Sequence, residues 1–239
     1  MRQTLSLVIS VFNEQNSIIE LYEQIKLVVK EYKLSLEEII FINDGSTDDS
    51  LNVLKSIKDS KVKIISFRHN LGKATVLNQG FKKASGDLIV TMDADLQDDP
   101  KNFPQLIEKL NDGFDLVIGW KKERADPFTK VMPSRFFNFF VGKISKISLH
   151  DFNSGLKVMK REVARELYLY GGLHRFIPVL AYQRGFKAGE VPVIHHPRKY
   201  GKSKYGGDRL IKGFLDFLSV MFLNKYGQRP LLFLVWLEL

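Results

Sequence analysis

Asp93 and Asp95 stand two positions apart at the end of the apolar run "DLIVTMD", and Asp98 and Asp99 follow closely, so four carboxylates fall within seven residues. A hard divalent cation takes oxygen ligands and keeps waters and substrate phosphates in its shell. Two carboxylates at alternate positions, where a strand turns into a loop, therefore suit Mg2+ or Mn2+ held jointly with a diphosphate. The competing reading is an acidic helix start, where negative charge is also favoured. Asp98 and Asp99, directly before Pro100, read as that capping pair.

Two further stretches carry matching chemistry. In "NDGSTDDS" (43–50), Asp44 can accept hydrogen bonds from a base or ribose, and Gly45 lets backbone approach a ligand closely. An ordinary turn with Thr47 or Asp48 capping the next helix would look the same. In "RHNLGKATVLNQGFKKA" (68–84), Lys73 falls near a predicted helix start, where backbone N–H groups would help it hold an anion, and Arg68 could assist.

The elements that position these residues follow from the pattern. Residues 5–12, 38–43, 62–67, 87–93 and 114–120 are short, β-branched or aromatic, and mostly apolar, whereas helical spacing appears near 16–32, 48–58, 72–84 and 101–111. Alternation of this kind predicts βαβ units, hence an α/β fold whose mainly parallel sheet is covered on both faces. Each predicted strand ends in polar residues: Asn13–Glu14, Asn43–Ser46, Arg68–Asn70 and Asp93–Asp95. Ligands of open parallel sheets bind outside the carboxyl ends of the strands, so these ends should line one crevice.

A formal charge of +9 over 239 residues calls for an anionic partner, whether nucleic acid, anionic lipid or phosphorylated substrate. The cations gather in loops around the proposed phosphate site, without the aromatic interleaving of a nucleic-acid binder, which argues against nucleic acid. Cysteine is absent, so disulfides and thiolate metal sites are excluded. The N-terminus reads as a first strand and not as a signal peptide.

Past residue 120 the pattern loosens. "KKERADPFTK" reads as a charged loop, 129–147 as a helix, "HDFNSG" as a turn, and 189–197 as a further strand. The basic loop "RKYGKSKYGGDR" leads into an amphipathic helix over 208–226, with Leu210, Phe214, Phe217, Leu218 and Met221 on one face. The run Leu231–Leu237 is too short to cross ~30 Å of hydrocarbon. It is expected to open a membrane helix that the sequence cuts short, with Glu238–Leu239 a cloning remnant. The expected division is a catalytic domain over 1–207 and an interface helix with a truncated membrane segment over 208–239.

Taken together, "SVFNE", "NDGSTD", "RHNLGKATVLNQG", "DADLQDDP", "GLHRFIPVLA" and "HHPRKYGKSKYGG" resemble, in order and spacing, the family 2 glycosyltransferases of GT-A fold. The likeness spans roughly residues 5 to 230 and is greatest for the branch that acts on polyprenyl phosphates. It implies a Rossmann-like, mainly parallel sheet. It also implies that Phe12, Glu14, Asp44 and Gly45 hold the nucleoside, with Arg68 and Lys73 on the donor side. Asp93 and Asp95 would bind Mg2+ or Mn2+, and Gln97 would lie close to the metal or acceptor. Asp151 and Ser154, in "DFNSG", map to the acceptor-side loop, and Arg198, Ser203 and Lys204 to the basic loop that closes over phosphates.

Where hydroxyl-glycosylating members carry an acidic base, this chain reads Gly172–Leu173–His174–Arg175. A hydroxyl nucleophile needs a base. A phosphate monoester, with a second pKa of about 6, arrives already ionised and needs cations, for which His174 and Arg175 are suited. The implied reaction is one inverting displacement from a nucleoside diphosphate sugar, with UDP-glucose favoured and GDP-mannose or modified sugars open. The acceptor would be polyprenyl phosphate, at the cytoplasmic face of a bacterial inner membrane with anionic lipid. A homo-oligomer formed through the membrane part stays open. The alternatives are transfer to a glycan hydroxyl and a non-catalytic nucleotide-sugar-binding module.

Overall fold

The computed structural model describes residues 3–122, 128–201 and 215–222. Seven strands form one sheet: β1 (Thr4–Val11), β2 (Ser35–Asn43), β3 (Val62–Ser66), β4 (Leu88–Asp93), β5 (Leu116–Trp120), β6 (Lys157–Lys160) and β7 (Ala188–Pro192). Their order is β3-β2-β1-β4-β6-β5-β7. Strands β1 to β4 run parallel to one another and β5 pairs parallel with β7, whereas β6 is antiparallel to both β4 and β5. The expected mainly parallel sheet is therefore present, with one reversed strand inserted.

Helices cover both faces, as two-sided burial of the strands requires. On one face lie α1 (Ile18–Glu31), α2 (Ser50–Ser56) and α4 (Phe103–Asn111). In α1 the buried residues Ile18, Leu21, Ile25 and Val28 recur at helical spacing and form one stripe against the sheet. On the other face lie α3 (Lys73–Lys83), α5 (Phe128–Ser145), α6 (Arg161–Glu166) and α7 (Ile177–Gln183). A helical segment over 215–222 joins them, burying Phe217 and Val220.

Three expectations change. Strand β2 begins three residues before the predicted 38, where Ser35 and Leu36 already pair with β1. Strand β7 stops at Pro192, not at 197, because β5 ends opposite it at Trp120 and the chain loses its ladder partner. From there it crosses the strand ends: Ile194 N–H donates to Asn102 Oδ1 (3.1 Å) and His196 N–H to the Gln97 carbonyl (2.8 Å). On the 215–222 segment, Leu218 faces outward with Leu215 and Phe222, while Phe217 and Val220 pack on the core. The 207/208 boundary, Leu210, Phe214, Leu231–Leu237, Glu238–Leu239 and most of the basic loop lie outside the described residues.

Candidate active site

The crevice is assembled by laces between strand ends. Asn13, in the left-handed region (φ 54°) just after β1, receives a hydrogen bond from the Thr47 N–H (2.8 Å) and gives its own N–H to Ser46 Oγ (2.9 Å). The Glu14 N–H donates to Ser50 Oγ (2.9 Å). Gly45 sits at φ +67°, and a Cβ there would lie 2.3 Å from the His69 backbone, so glycine is required both for its conformation and for the close approach. Asp44 is buried and accepts from the Leu71 (2.7 Å) and Gly72 (3.0 Å) N–H groups. Its carboxylate therefore staples the loop that delivers Lys73. Phe12 lies half-buried beside these turns.

At the end of β4 the two sequence-predicted metal ligands meet cations. Lys73, the first residue of α3, places Nζ 2.7 and 2.6 Å from the two Asp93 oxygens, and Ser10 Oγ donates to Oδ1 (2.5 Å). Burial alone would raise the Asp93 pKa; the Lys73 ammonium, the Ser10 hydrogen bond and the more distant Lys121 reverse this and hold it ionised, well below the usual range. Asp95 receives Arg198 Nη2 at 2.7 Å and the Gln97 N–H at 3.2 Å. Desolvation and the adjacent Asp93 charge nevertheless push its pKa up to about 6. Arg198 also reaches Glu14 Oε1 at 2.9 Å, joining the first and fourth strand ends. Gln97 sits beside this pair, with Nε2 3.4 Å from the His196 carbonyl.

Reversed β6 explains how "DFNSG" arrives here, since its start lies at the edge where the parallel strands end. Thr91 Oγ1 holds the Gly155 carbonyl at 2.8 Å, and a Cβ on Gly155 would stand 2.8 Å from Asp93 Oδ2 and 3.2 Å from Asp98 Oδ2. Asp151 and Ser154 are buried, and Ser154 Oγ has no hydrogen-bond partner among the described residues. His174, too, is drawn in. Burial, with Lys73, Arg175 and Lys157 nearby, lowers its pKa to about 3. At neutral pH it offers a neutral imidazole, which corrects the cationic role expected of it. Arg175 is engaged by Asp216 of the 215–222 segment (3.2 Å). Arg68 lies exposed past β3, and Ser203 and Lys204 fall outside the described residues.

The sequence reading missed Asp98, Lys121 and Lys157. Asp98 does not cap. It is buried, bridges His195, and lies 3.3 Å from Lys121 Nζ. Asp99 does cap, accepting from the Lys101 N–H at 2.9 Å. Lys121 immediately follows β5, a strand-end position that could have flagged it. Lys157 is 3% exposed on β6, donates to the Ser154 carbonyl, and has its pKa lowered to about 7 by desolvation and by Lys73. In sequence it looks like any surface lysine, and only the reversed strand places it.

The donor set fits a divalent cation. Asp93 and Asp95 supply hard oxygens at the crevice floor, and Gly155 leaves the space beside Asp93 clear. Among the described residues no group of three or more side chains could cage a metal alone, so remaining ligands would come from water and substrate phosphate, as Mg2+ and Mn2+ prefer. Lys73, Lys121, Lys157 and Arg198 ring that position and match a diphosphate in charge.

A doubly covered, mainly parallel sheet carrying this crevice at its strand ends is the GT-A arrangement. The family model described as "Glycosyl transferase family 2" matches residues 6–168, and the chain belongs to that family. Among curated relatives, it is 38% identical over 233 residues to dodecaprenyl-phosphate galacturonate synthase of Rhizobium johnstonii, covering 95% of this chain and 69% of that protein. It is 32% identical over 219 residues to undecaprenyl-phosphate 4-deoxy-4-formamido-L-arabinose transferase of Pseudomonas aeruginosa, covering 90% and 64%. The chain thus spans about two thirds of the length of these relatives. In fold it is similar to glucosyl-3-phosphoglycerate synthase of Mycobacterium tuberculosis, solved with Mn2+, UDP and phosphoglyceric acid. That likeness has a TM-score of 0.71 and 18% identity, over 93% of this chain and 78% of that one.

Proposed function

We propose that this glycosyltransferase moves a sugar from a nucleoside diphosphate sugar to a polyprenyl phosphate, with inversion and with Mg2+ or Mn2+ at Asp93 and Asp95. The observation that carries the reading is this carboxylate pair at the end of β4, ringed by Lys73, Lys121, Lys157 and Arg198. A divalent ion held there would offset charge on the departing diphosphate. The chain's own part is electrostatic: preorganised cations act where charge develops.

The acceptor follows from what the carboxylates are doing. Asp93, Asp95, Asp98 and Glu14 are each engaged by a lysine or arginine, and Asp151 is buried beside Lys157. A hydroxyl nucleophile would need one of them as base. A phosphate monoester, ionised at neutral pH, needs none, and the lysine-rich crevice favours it. Both curated relatives are named for polyprenyl-phosphate products, which supports the same acceptor. Their sugars, a galacturonate and a formamido-arabinose, differ from each other and from the glucose favoured by the motifs. UDP-glucose is thus one of several donors to test.

A membrane-surface location is supported by the apolar face beside the Asp151–Gly155 turn. Exposed Met132, Phe139, Phe140 and Ile144 of α5 adjoin exposed Leu215, Leu218 and Phe222, with Phe140 edge-on to Phe217 (6.2 Å). Lys143 of α5 and Lys146, just past its end, are exposed as well. Apolar side chains flanked by lysines suit the headgroup region of anionic lipid, on the cytoplasmic side where lipid phosphate and nucleotide sugar meet. No helix among the described residues is long and apolar enough to cross a membrane.

Thermal stabilisation by UDP, GDP, CDP and their sugars, with and without Mn2+, tests the donor. A ligand at about 100 times its Kd should add roughly 2.7 kcal/mol. A metal-dependent shift lost in Asp95→Asn, followed by transfer to undecaprenyl phosphate and not to a glycan, is the expected result. Failure of every nucleotide to shift a folded sample would favour a non-catalytic module, and transfer to a glycan alone would favour a hydroxyl acceptor.

A further inference from the structure

The carboxylate oxygens that a metal would take are held by side chains of the chain itself, and the two holders differ. Lys73 is fixed by its place at the start of α3. Arg198 sits on the segment that crosses the strand ends, and its guanidinium forks between Asp95 Oδ2 (2.7 Å) and Glu14 Oε1 (2.9 Å). The backbone around Arg198 is pinned on both sides. The His196 N–H donates to the Gln97 carbonyl, and Lys199 Nζ lies 2.7 Å from Glu20 Oε2. The other Asp95 oxygen already accepts the Gln97 N–H. A cation that takes Asp95 Oδ2 displaces Arg198 outright, and one that takes the remaining lone pair of Oδ1 still meets the guanidinium charge on the same carboxylate. Glu14 would keep Arg198 aimed at the crevice while its freed N–H groups turn to an incoming diphosphate, so the exchange needs a side-chain rotation and no movement of the pinned segment.

Building on the donor site proposed above, we infer that Arg198 is an exchangeable counter-ion that couples metal loading to diphosphate binding: it competes with a lone metal for Asp95 and becomes a ligand of the diphosphate when both arrive together. Charge-assisted hydrogen bonds of this kind are among the stronger ones in proteins. Each half of the exchange should therefore change affinity by about tenfold or more. Functionally, the coupling would disfavour a metal-loaded crevice without donor and favour joint binding of metal and nucleotide.

The test is the sign of one substitution's effect in two titrations. Mn2+ binding to the full chain is followed by loss of the free-ion EPR signal, first with Mn2+ alone and then with saturating UDP, GDP or CDP. In Arg198→Gln, Mn2+ alone should bind about tenfold more tightly, while Mn2+ with the nucleotide should bind about tenfold more weakly. Arg198→Lys keeps the charge but cannot span Glu14 and Asp95 together, and should fall between. Lys83→Gln, an exposed lysine at the far end of α3 from Lys73, should change neither titration. Arg198 variants that shift both titrations in one direction, or leave Mn2+ alone unaffected, would overturn the inference. If the unsubstituted protein takes up no Mn2+ with any nucleotide, the donor-site reading itself fails, which is a separate result.

Discussion

The substitution Gly155→Ala adds one methyl group at the point where the reversed strand meets the carboxylates. Its Cβ would stand 2.8 Å from Asp93 Oδ2 and 3.2 Å from Asp98 Oδ2. An ordinary carbon–oxygen contact is about 3.4 Å, so Asp93 must withdraw by roughly half an ångström. It cannot do so freely, because Ser10 and Lys73 hold it at 2.5 to 2.7 Å. Part of a charge-assisted interaction worth about 1.5–3 kcal/mol would be lost. At about 2–4 °C per kcal/mol for a domain of this size, the melting point should fall by less than about 10 °C. Activity should fall much further, since a misplacement of about 1 Å at a reacting centre can cost 100-fold. Calorimetric titration of Mn2+ with the stabilising nucleotide, beside the kcat for transfer, separates the two effects. The expected result is a cooperative fold with metal–nucleotide affinity down at least tenfold and kcat down about 100-fold. If Gly155→Ala binds and turns over within twofold of the parent, Asp93 is not held where the crevice requires it, and the placement of the metal site is refuted.

Other outcomes follow from the same geometry. Glu38 is 1% exposed. Desolvation opposes its charge, but Lys63, Ser85 and Ser6 lower its pKa from 4.5 to about 2. A folded-state pKa below the unfolded value gives stability that is present above pH 4.5 and lost as pH falls through about 2. Here it amounts to about 3 kcal/mol. The melting-point gap between parent and Glu38→Gln should therefore close over that window, and a gap independent of pH would contradict it. Phe217→Ala, at a site 1% exposed between Phe140 and Phe176, should cost about 3–5 kcal/mol in chemical denaturation. A loss under 1 kcal/mol would mean that the 215–222 segment does not pack on the domain. Phe139→Glu with Leu218→Glu should reduce partition into anionic vesicles at least tenfold, since burying each apolar side chain is worth about 1.5–3 kcal/mol. Metal–nucleotide binding should be unchanged, and unaltered vesicle binding would remove α5 from the membrane face.

The gathering of strand ends into one crevice was legible because its information is local. Strand, polar end and helix start recur within short stretches, so Asp44, Lys73, Asp93 and Asp95 could be placed before any coordinates. The partners of those residues were not legible. That Lys73 holds Asp93, and that Arg198 spans Glu14 and Asp95, depends on contacts 20, 103 and 184 residues apart along the chain. Lys157 and Gly155 were hidden for a related reason. A four-residue strand carries too little pattern to announce its direction, and direction alone decides whether its first residues reach the crevice. Asp98 was misread because a carboxylate two residues before a proline has the same sequence signature whether it caps a helix or turns inward to a lysine. The charge of His174 depends on burial and three cations gathered from separate elements.

Strand β6 has a consequence for how such a molecule could diversify. Strands β5 and β6 are hydrogen-bonded neighbours, with Leu116 opposite Met159 and Ile118 opposite Lys157, yet everything from 121 to 156 lies between them. That excursion leaves and re-enters the sheet at adjacent points on one edge. It carries Lys121, all of α5, and the Asp151–Gly155 turn, while the laces between Asn13 and Thr47 and the β4 carboxylates belong to the chain before it. The β4 carboxylates and the Asp151–Gly155 turn that faces them are thus recorded in separate, consecutive stretches, with Lys157 and Arg198 added from the chain that follows. Exchange of the excursion between the two flanking strands would vary the proposed acceptor side as a cassette, provided the replacement kept a cation at 121 and a glycine at 155, which face the β4 carboxylates.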